Sequence, residues 1–487
     1  MSLTSAIRTA TGSLAGTSQQ VSLLSRNIAG VGNPDYVRRE AVVSTDRFGQ
    51  MRVETQRQVN LSLFSSSITA RSKAEASAVL SSGFDALARI QDLDNYSLSA
   101  FSQLQGLRDA VDLAATMPGD NATMNALLEQ ARTAASTISG SYQHILRLRA
   151  EADAQIVGGV ERLNSLLSEL KGINDQIVNG TRVGEDMSDA MDSRDTLINR
   201  ISEEIGVDVL HRANNDVVLV ASNGVILFEK QPRTVSFSPT ASYGPSTTGN
   251  ALYVDGIPVS GANASLPLTS GAIAGQLSLR DGALQDQLNQ LDEIARGMVE
   301  LFAETDQTGG GKPPLAGLFT WSGGPTVPAS GALTSGIALT LSVNPLVDPA
   351  QGGDMSLVRD GAINGDADYL YNTDGSAGFS DRLYAIAEGF SADMSFDMAA
   401  GLGASRSLLD YSAASLDWLS EARRSANDTA TYQSGLASHF KETLQSATGP
   451  NLDQEMSRLL EVERAYQASA KMLATIDELF NVLMQAA

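Results

Sequence analysis

The stretch from residue 3 to residue 28, LTSAIRTATGSLAGTSQQVSLLSRNI, carries a repeat that governs the interpretation of the whole chain. Steps of four and three residues alternate without a slip, and they define one seam: Leu3, Ile7, Ala10, Leu14, Thr17, Val21, Leu24 and Ile28. A spacing that averages 3.5 residues keeps one side of a helix against a partner helix, so the stretch predicts a coiled-coil strand. Only two charged residues, Arg8 and Arg26, precede Pro34. Because a helix that faces water normally carries more charge, this one is predicted to be surrounded by protein.

The other end of the chain has the same repeat. Its seam consists of Leu459, Val462, Tyr466, Ser469, Leu473, Ile476, Phe480 and Leu483. At about 1.5 Å per residue the two predicted helices have similar lengths, roughly 40–50 Å. For either end alone, an amphipathic helix that docks on its own domain is the alternative. Two matched ends instead predict a seam that is buried when the protein assembles.

The composition limits the possible functions. The chain has 487 residues, with 56 acidic against 34 basic side chains, a net charge of −22 and no cysteine. The acidic excess disfavours nucleic acid and anionic membranes as partners, because both bind basic patches. The lack of cysteine excludes disulfides, thiolate metal sites and a cysteine nucleophile. We find neither a run of eighteen apolar residues nor a cleavable secretory signal, so composition alone would indicate a soluble cytoplasmic protein.

Proline and hydrophobic periodicity divide the chain into alternating helical and β segments. Eleven of the fourteen prolines lie between Pro232 and Pro349, which leaves long helix-compatible stretches on both sides. A helix stop and a new start are predicted at residues 117–121, a break at Asn179-Gly180, and a β-hairpin turn at Asn223-Gly224. We therefore predict an α+β multidomain protein with terminal coiled-coil helices. Its predicted parts are an amino-terminal coiled-coil segment (1–60), a helical bundle (61–205), a β-rich domain (206–280), a helix of the bundle (281–306), a β-rich, loop-rich outer region (307–380), further bundle helices (381–449) and a carboxyl-terminal coiled-coil helix (450–487).

The usual catalytic and metal-binding patterns are missing from the sequence. His144, His211 and His439 form no His-x-x-x-His pair, and the Gly309–Lys312 run lacks the spacing of a phosphate-binding loop. The Ser-x-x-Lys matches that begin at Ser168 and Ser438 have no accompanying motifs. A calcium loop at residues 366–374 would need a different spacing and a distal glutamate, so a solvated turn is the better interpretation. We predict no enzymatic activity and no cofactor.

The residues that follow the first repeat resemble a known family. Residues 23–39, LLSRNIAGVGNPDYVRR, are similar to the start of the bacterial flagellar axial proteins, in which Asn-Ile-Ala-Asn-x-x-Thr-Pro-Gly-Tyr and a basic residue follow a heptad helix. The matching positions are Asn27, Pro34, Tyr36 and Arg38, whereas Asn33 replaces the usual Thr and Asp35 the usual Gly. At the other end, Asn451, Leu452 and Asp453 resemble the start of the family's carboxyl-terminal signature.

Within the family, the resemblance is to the subunits of the hook–filament junction. It rests on Asp192, Arg194 and Asp195 and does not extend over residues 309–400. The resemblance implies an extracellular structural subunit of the flagellum, exported by the type III pathway, that forms an adaptor ring between hook and filament. It also implies β-rich domains that face outward. The implied partners are further copies of the chain, the hook protein, a second hook-associated junction protein and an export chaperone at the carboxyl-terminal segment; nucleic acid and membrane are not among them.

Three alternatives remain at this stage. A hook or rod subunit of the same family would place β structure immediately after Tyr36, and a junction subunit would continue into helices. An axial protein with an inserted enzymatic domain would need catalytic motifs that we do not find. A secreted coiled-coil adhesin or effector would not need matched repeats at both ends.

Overall fold

Long helices form both ends of the described part of the chain, which comprises residues 3–45, 51–93 and 95–486 of a computed structural model. The helices are α1, Leu3–Gly30, and α12, Leu452–Ala486. They run antiparallel, because the hydroxyl oxygens of Ser13 and Ser469 lie 3.0 Å apart while Asn27 contacts Glu455. This helix pair is the terminal rod of the molecule.

A two-stranded hairpin follows α1. Strands β1, Arg39–Thr45, and β2, Met51–Arg57, pair antiparallel with Arg39 directly opposite Arg57. The prediction of a helical segment over residues 1–60 is therefore wrong beyond residue 30, because β-branched residues at every second or third position favour strands here. β structure does begin directly after Tyr36, as expected for a hook or rod subunit. That criterion alone does not separate the alternatives, since a long helical region follows.

Four helices form the first half of the body: α2, Leu61–Ile90; α3, Ala100–Thr116; α4, Asn121–Val183; and α5, Ser188–Glu204. At 63 residues α4 is about 95 Å long and spans most of the body. The predicted stop and restart at residues 117–121 is confirmed, because Asp120 caps α4 by accepting a hydrogen bond from the Ala122 N–H. The predicted break at Asn179-Gly180 is wrong. Gly180 lies inside α4, where a Cβ would collide with Met187, so this glycine serves close packing rather than a turn.

Small antiparallel sheets occupy the next part of the chain. A four-stranded sheet in the order β3-β4-β5-β6 is followed by a three-stranded sheet in the order β7-β8-β9. Gly224, with φ of 88°, makes the turn between β4 and β5, which confirms the predicted hairpin. The strands are β3, Val207–His211; β4, Val217–Ala221; β5, Ile226–Glu229; β6, Gln231–Pro232; β7, Val235–Phe237; β8, Leu252–Val254; and β9, Ile257–Pro258.

A buried helix then crosses the body. Helix α6, Ala272–Ser278, passes through a π-helical turn at Leu279–Ala283 into α7, Leu284–Leu301. The predicted apolar face of α7 lies in the core that also contains α3 and the first half of α4. A second core joins the latter half of α4 and α5 to the sheets.

The region from residue 307 to residue 380 was predicted to be β-rich, and it is not. It holds one short strand pair and short helical turns connected by loops, because frequent glycine and proline residues leave only short apolar runs between them. The helix predicted from residue 381 also stops at Gly389 and resumes only at Leu408. The elements are β10, Phe319–Thr320; α8, Ile337–Thr340; β11, Ser342–Val343; α9, Leu357–Asp360; α10, Asp381–Gly389; β12, Asp393–Ser395; β13, Ser405–Ser407; and α11, Leu408–Thr448.

Candidate functional site: the root of the terminal rod

The chain passes twice between the terminal rod and the body, and the two passages lie side by side. Residues 58–60 connect β2 to α2, and residues 449–451 connect α11 to α12. Helices α2 and α11 pack against each other along the body. The family-motif residues gather at this root, which makes it the candidate functional site.

The predicted seam residues lie along the rod but are not all covered by it. Because Leu3 and Leu483 have side chains outside the described part, fourteen of the sixteen can be placed. Four of them are buried: Ala10, Thr17, Leu24 and Ile476. Eight are half-buried: Ile7, Leu14, Val21, Ile28, Leu459, Val462, Ser469 and Leu473. Tyr466 and Phe480 are exposed. The rod therefore covers only part of the predicted seam.

Helix α12 also exposes apolar side chains away from α1. At 100° per residue they point to several sides of the helix rather than to one stripe. They are Leu452, Met456, Leu460, Tyr466, Met472, Leu479, Phe480, Val482 and Met484. A helix that is apolar on most of its circumference needs protein neighbours on more than one side.

Both side-chain polar atoms of Asn27 form hydrogen bonds that hold the base of the rod together. Its Nδ2 donates to the Arg39 carbonyl oxygen at 2.8 Å and to Glu455 Oε2 at 2.9 Å. Its Oδ1 accepts from the Tyr36 hydroxyl at 2.9 Å and from the Arg39 N–H at 3.1 Å. Asn27 is fully buried, so each of these bonds replaces one that water would otherwise make. One amide thus joins α1, the turn, β1 and α12.

Arg38 and Glu455 form a buried ion pair beside Asn27. Arg38 Nε donates to Glu455 Oε1 at 2.5 Å, and the two side chains are 8% and 0% exposed. Arg38 also donates from Nη1 to Gln58 at 2.7 Å and from its backbone N–H to the Thr448 carbonyl oxygen at 2.7 Å. This residue therefore touches the ends of β2 and α11 and the first turn of α12.

The turn between α1 and β1 keeps a compact form despite the two departures from the family pattern. Asn33 Oδ1 accepts from the Asp35 N–H at 3.1 Å, and the positive φ of 94° falls on Gly32 rather than on residue 35. Tyr36 packs so closely on Gly30 that a Cβ there would overlap its ring. Pro34 lines a cleft beside the turn. The usual glycine before the tyrosine is thus not required by this backbone.

The hairpin reaches the body through ion pairs. Arg39 Nη2 lies 2.5 Å from Asp189 Oδ1 and 2.9 Å from Asp192 Oδ2. Arg57 Nη2 lies 2.6 Å from Asp192 Oδ1 and 2.7 Å from Asp195 Oδ2. Burial raises the pKa of Asp192, against the opposing effect of the two arginines. Asp192 and Asp195 of the predicted motif therefore join the body to the hairpin.

The remaining motif residues have local structural roles. Arg194 is buried and donates from Nη1 to the Asn215 carbonyl oxygen at 2.5 Å, which fixes the loop before β4 to α5. Asn451 caps α12, because its Oδ1 accepts from the Gln454 N–H at 3.2 Å. Asp453, in the first turn of α12, places negative charge where the helix dipole favours it. Leu452 is exposed, so nothing in the monomer explains it.

Sequence reasoning missed the partners of these residues. Glu455 was not singled out, although it follows the motif Asn451 by one helical turn. Arg39 and Arg57 were not linked to one another, because their pairing depends on the hairpin register. The signal for the acceptors was present, since Asp186, Asp189, Asp192 and Asp195 recur at every third position.

Within residues 3–45, 51–93 and 95–486, no three histidine or carboxylate side chains gather as metal ligands would. Lys312 forms ion pairs with Asp366 and Asp368 in the loop that was considered for calcium. Burial lowers the pKa of His211, which favours a neutral imidazole. No described helix has the length and apolarity to cross a bilayer.

Comparison with known families gives two matches. Residues 87–313 match the family described as flagellar hook-associated protein FlgK helical domain. Residues 449–486, which include α12, match the family described as flagellar basal body rod FlgEFG protein C-terminal. Together the two matches cover more than half of the chain.

Individual relatives carry the same name. The flagellar hook-associated protein 1 of Bacillus subtilis (strain 168) is 21% identical over 420 residues, which is 78% of this chain and 78% of the relative. That of Escherichia coli (strain K12) is 22% identical over 239 residues, 48% of this chain and 43% of its own length. That of Salmonella typhimurium is 24% identical over 232 residues, which is 46% of this chain and 41% of the relative. The matches thus span less than half of these two longer relatives.

A solved structure is also similar in part. It is the flagellar hook junction protein FlgK from Burkholderia pseudomallei, with a TM-score of 0.42 and 20% sequence identity over 53% of this chain and 47% of that chain.

Proposed function

Since this chain belongs to the bacterial flagellar axial proteins and carries a helical domain of the hook-associated kind, we propose that it is the structural subunit that joins hook to filament. Copies of the chain form an adaptor ring at the hook tip, on the outside of the cell. The terminal rods line the inside of this ring, and the body with its small sheets lies further out. The protein acts through shape and contacts and not through catalysis.

The observation that carries this proposal is the uncovered apolar surface of the terminal rod. Exposed side chains such as Met472, Leu479 and Phe480 lie on different sides of α12, and α1 can cover only one of them. At about 25 cal/mol per Å² of apolar surface, their burial between neighbouring subunits would contribute strongly to assembly. The predicted seam, from Leu3 to Ile28 and from Leu459 to Leu483, is the element that mediates it.

The partners follow from this arrangement. Rods of neighbouring copies, of the hook protein below and of a second hook-associated junction protein above would cover the free faces of α1 and α12. Before assembly the same surface needs protection, and an export chaperone that binds the carboxyl-terminal segment would provide it during passage through the type III pathway. The acidic chain, with a net charge of −22, offers no comparable surface to nucleic acid.

A hook or rod subunit is the second candidate, and the hairpin after Tyr36 favours it. The region that separates the two is the body between residues 87 and 313. Its match to the hook-associated helical domain supports the junction role.

Electron microscopy of a deletion strain tests the proposal. Loss of a junction subunit leaves complete hooks without filaments, and filament monomers accumulate in the medium. Loss of a rod or hook subunit stops assembly earlier, before a complete hook is present. Complementation with the intact gene should restore filaments, and with Leu473→Asp it should not, whereas Ser22→Asp, at an exposed position outside the seam, serves as the control.

A further inference from the structure

The carboxylates that form ion pairs with the hairpin are evenly spaced in the sequence. We call this row of aspartates the acidic ladder and each aspartate a rung. Asp189, Asp192 and Asp195 stand three residues apart on α5, and Asp186 precedes them by the same interval in the loop before the helix. Three residues advance an α-helix by about 4.5 Å and rotate the side chain by about 60°. Successive rungs on the helix, from Asp189 to Asp195, are therefore close enough for one guanidinium to contact two of them.

The arginines on the opposite side have a matching spacing. Arg39 and Arg57 are direct neighbours across the hairpin, and adjacent strands lie about 4.8 Å apart. Arg39 accordingly bridges Asp189 and Asp192, while Arg57 bridges Asp192 and Asp195. Both guanidinium groups keep a buried Nε without a hydrogen-bond partner. Each arginine thus has an Nε–H group that is free to donate a further hydrogen bond.

The two arginines contact three of the four aspartates, and the fourth, Asp186, lies at one end of the row. Beyond Asp195 the next position is Ile198, which is buried and offers no charge. At the other end, Asp186 Oδ1 accepts from the Ser188 N–H at 3.1 Å and from the Ser188 hydroxyl at 2.6 Å, and Asp186 Oδ2 faces the rod, where Arg26 of α1 approaches it at 4.0 Å. That contact is long and exposed, and the Asp189 side chain is 83% exposed. One further rung is therefore available toward the start of α5.

We propose that this contact has two registers, and that the hairpin with the terminal rod moves along α5 by one rung, about 4.5 Å. In the second register Arg39 bridges Asp186 and Asp189, and Arg57 bridges Asp189 and Asp192. Both arginines keep two carboxylates, so no buried charge loses its partner. The movement is a screw, and the long arginine side chains absorb part of its rotation.

The surrounding structure leaves room for such a movement. A cleft of about 1170 Å³ is lined by residues of α5, β2, α2 and the end of α11. The covalent connections between the rod with its hairpin and the body are residues 58–60 and residues 449–451. Because Arg38 ties the hairpin to Thr448 and Gln58, the ends of α2 and α11 move with it. If the proposed function holds, two registers let one subunit meet a flexible hook and a stiffer filament; the movement itself does not depend on that role.

Spin labels on the isolated chain test the two registers. The protein has no cysteine, so Val43→Cys on β1 and Arg200→Cys on α5 introduce the only two labelling sites. Both positions are exposed. Electron–electron double resonance should give one main distance and a second population that is longer by at most about 4–5 Å, as the hairpin moves away from residue 200.

Two carboxylate-to-amide variants should shift these populations in opposite directions. Asp195→Asn removes a rung used only in the present register, so it should raise the ratio of long to short distances about 2- to 5-fold, the effect of one partly exposed ion pair. Asp186→Asn removes a rung used only in the second register and should lower the ratio by a similar factor. Glu185→Gln, an exposed neighbour of the ladder, should change neither population.

Arg26→Gln provides an independent test that leaves the ladder intact. It frees Asp186 for Arg39 and should raise the long-distance population, and melting curves of all variants confirm that they are folded. A single distance in every variant would overturn the proposal. So would a shift of Asp186→Asn and Asp195→Asn in the same direction, since that would indicate loosening rather than a change of register.

Discussion

Removal of Glu455 should open the root of the terminal rod without unfolding the body. Glu455 is fully buried and accepts from Arg38 at 2.5 Å and from Asn27 at 2.9 Å. Glu455→Ala leaves the guanidinium of Arg38 buried with only Gln58 as a side-chain partner. Loss of one member of a buried ion pair typically costs about 3–5 kcal/mol. The cost falls on the rod, because both partners lie outside the two cores of the body.

Hydrogen exchange of the α12 amides measures this cost locally. A penalty of about 3–5 kcal/mol corresponds to exchange that is about a hundredfold to a few thousandfold faster, as far as the rod's own stability allows. Amides of α7, in the core of the body, should keep their protection. Glu463→Ala removes an exposed glutamate from the same helix and should change exchange by less than about threefold.

A double variant separates the ion pair from its surroundings. Arg38→Leu combined with Glu455→Leu removes both charges and leaves apolar side chains of similar reach, so its penalty should be smaller than that of Glu455→Ala alone. If the double variant instead costs as much as the two single changes together, the pair is not coupled. If Glu455→Ala leaves α12 exchange unchanged, the buried pair does not hold the rod and the assignment of the root is wrong.

Three further predictions concern the seam, the body and α4. Leu24→Asp should abolish incorporation into flagella while the body melts normally, because it places a carboxylate in a buried part of the rod at a cost of several kcal/mol. A motility assay with hook-tip labelling measures incorporation, and Ser22→Asp should reduce it less. Burial raises the pKa of Asp292 to about 7, so the folded state binds the proton of this carboxyl group more tightly than the unfolded state does. The free energy of unfolding, relative to that of Asp292→Asn, should therefore fall as the pH rises from about 4 to about 7, by up to about 1.4 kcal/mol per pH unit. Parallel melting series of the two proteins measure this difference. Gly180→Ala should lower the melting temperature, because its methyl group collides with Met187 at a cost of about 1–3 kcal/mol, against a gain of about 1 kcal/mol in helix propensity. A mutant that melts like the parent would show that the packing of Met187 does not require a glycine at this position.

The sequence predicted the elements whose signal is periodic and local. Helix α1, the cap at Asp120 and the turn at Gly224 all follow from residues within a few positions of one another. Secondary-structure prediction failed where the same residue type occurs in proteins for two different structural reasons. Gly180 has the appearance of a helix break, but it gives Met187 room to pack, and only the position of a side chain seven residues later reveals this. The loops from residue 307 to residue 380 were assigned strands because short apolar runs favour β structure locally, whereas their burial against α7 supports irregular backbone instead.

The candidate site was predicted only in part for a related reason. Asn27, Tyr36 and Arg38 were found through a resemblance, which says that the residues matter and not what they contact. Glu455 lies more than 400 positions from Asn27, and no local pattern connects the two. The acidic ladder on α5 was visible as a three-residue repeat, yet its meaning needs the hairpin register that places Arg39 opposite Arg57. Long-range polar contacts are set by topology, so a single sequence cannot assign them.

The division between apolar and polar contacts at the root explains how rod and body can be separate in function. Each half of the body is held by an apolar core, and the rod presents apolar side chains to its surroundings. Between them, buried hydrogen bonds and ion pairs centred on Asn27, Arg38 and Asp192 carry the connection. Apolar packing tolerates many small rearrangements, but a buried amide or guanidinium is satisfied only in a few discrete geometries. A joint of this kind holds the rod at defined angles while the rod's apolar faces remain available to neighbouring subunits, which is the property that an adaptor between two different helical assemblies requires.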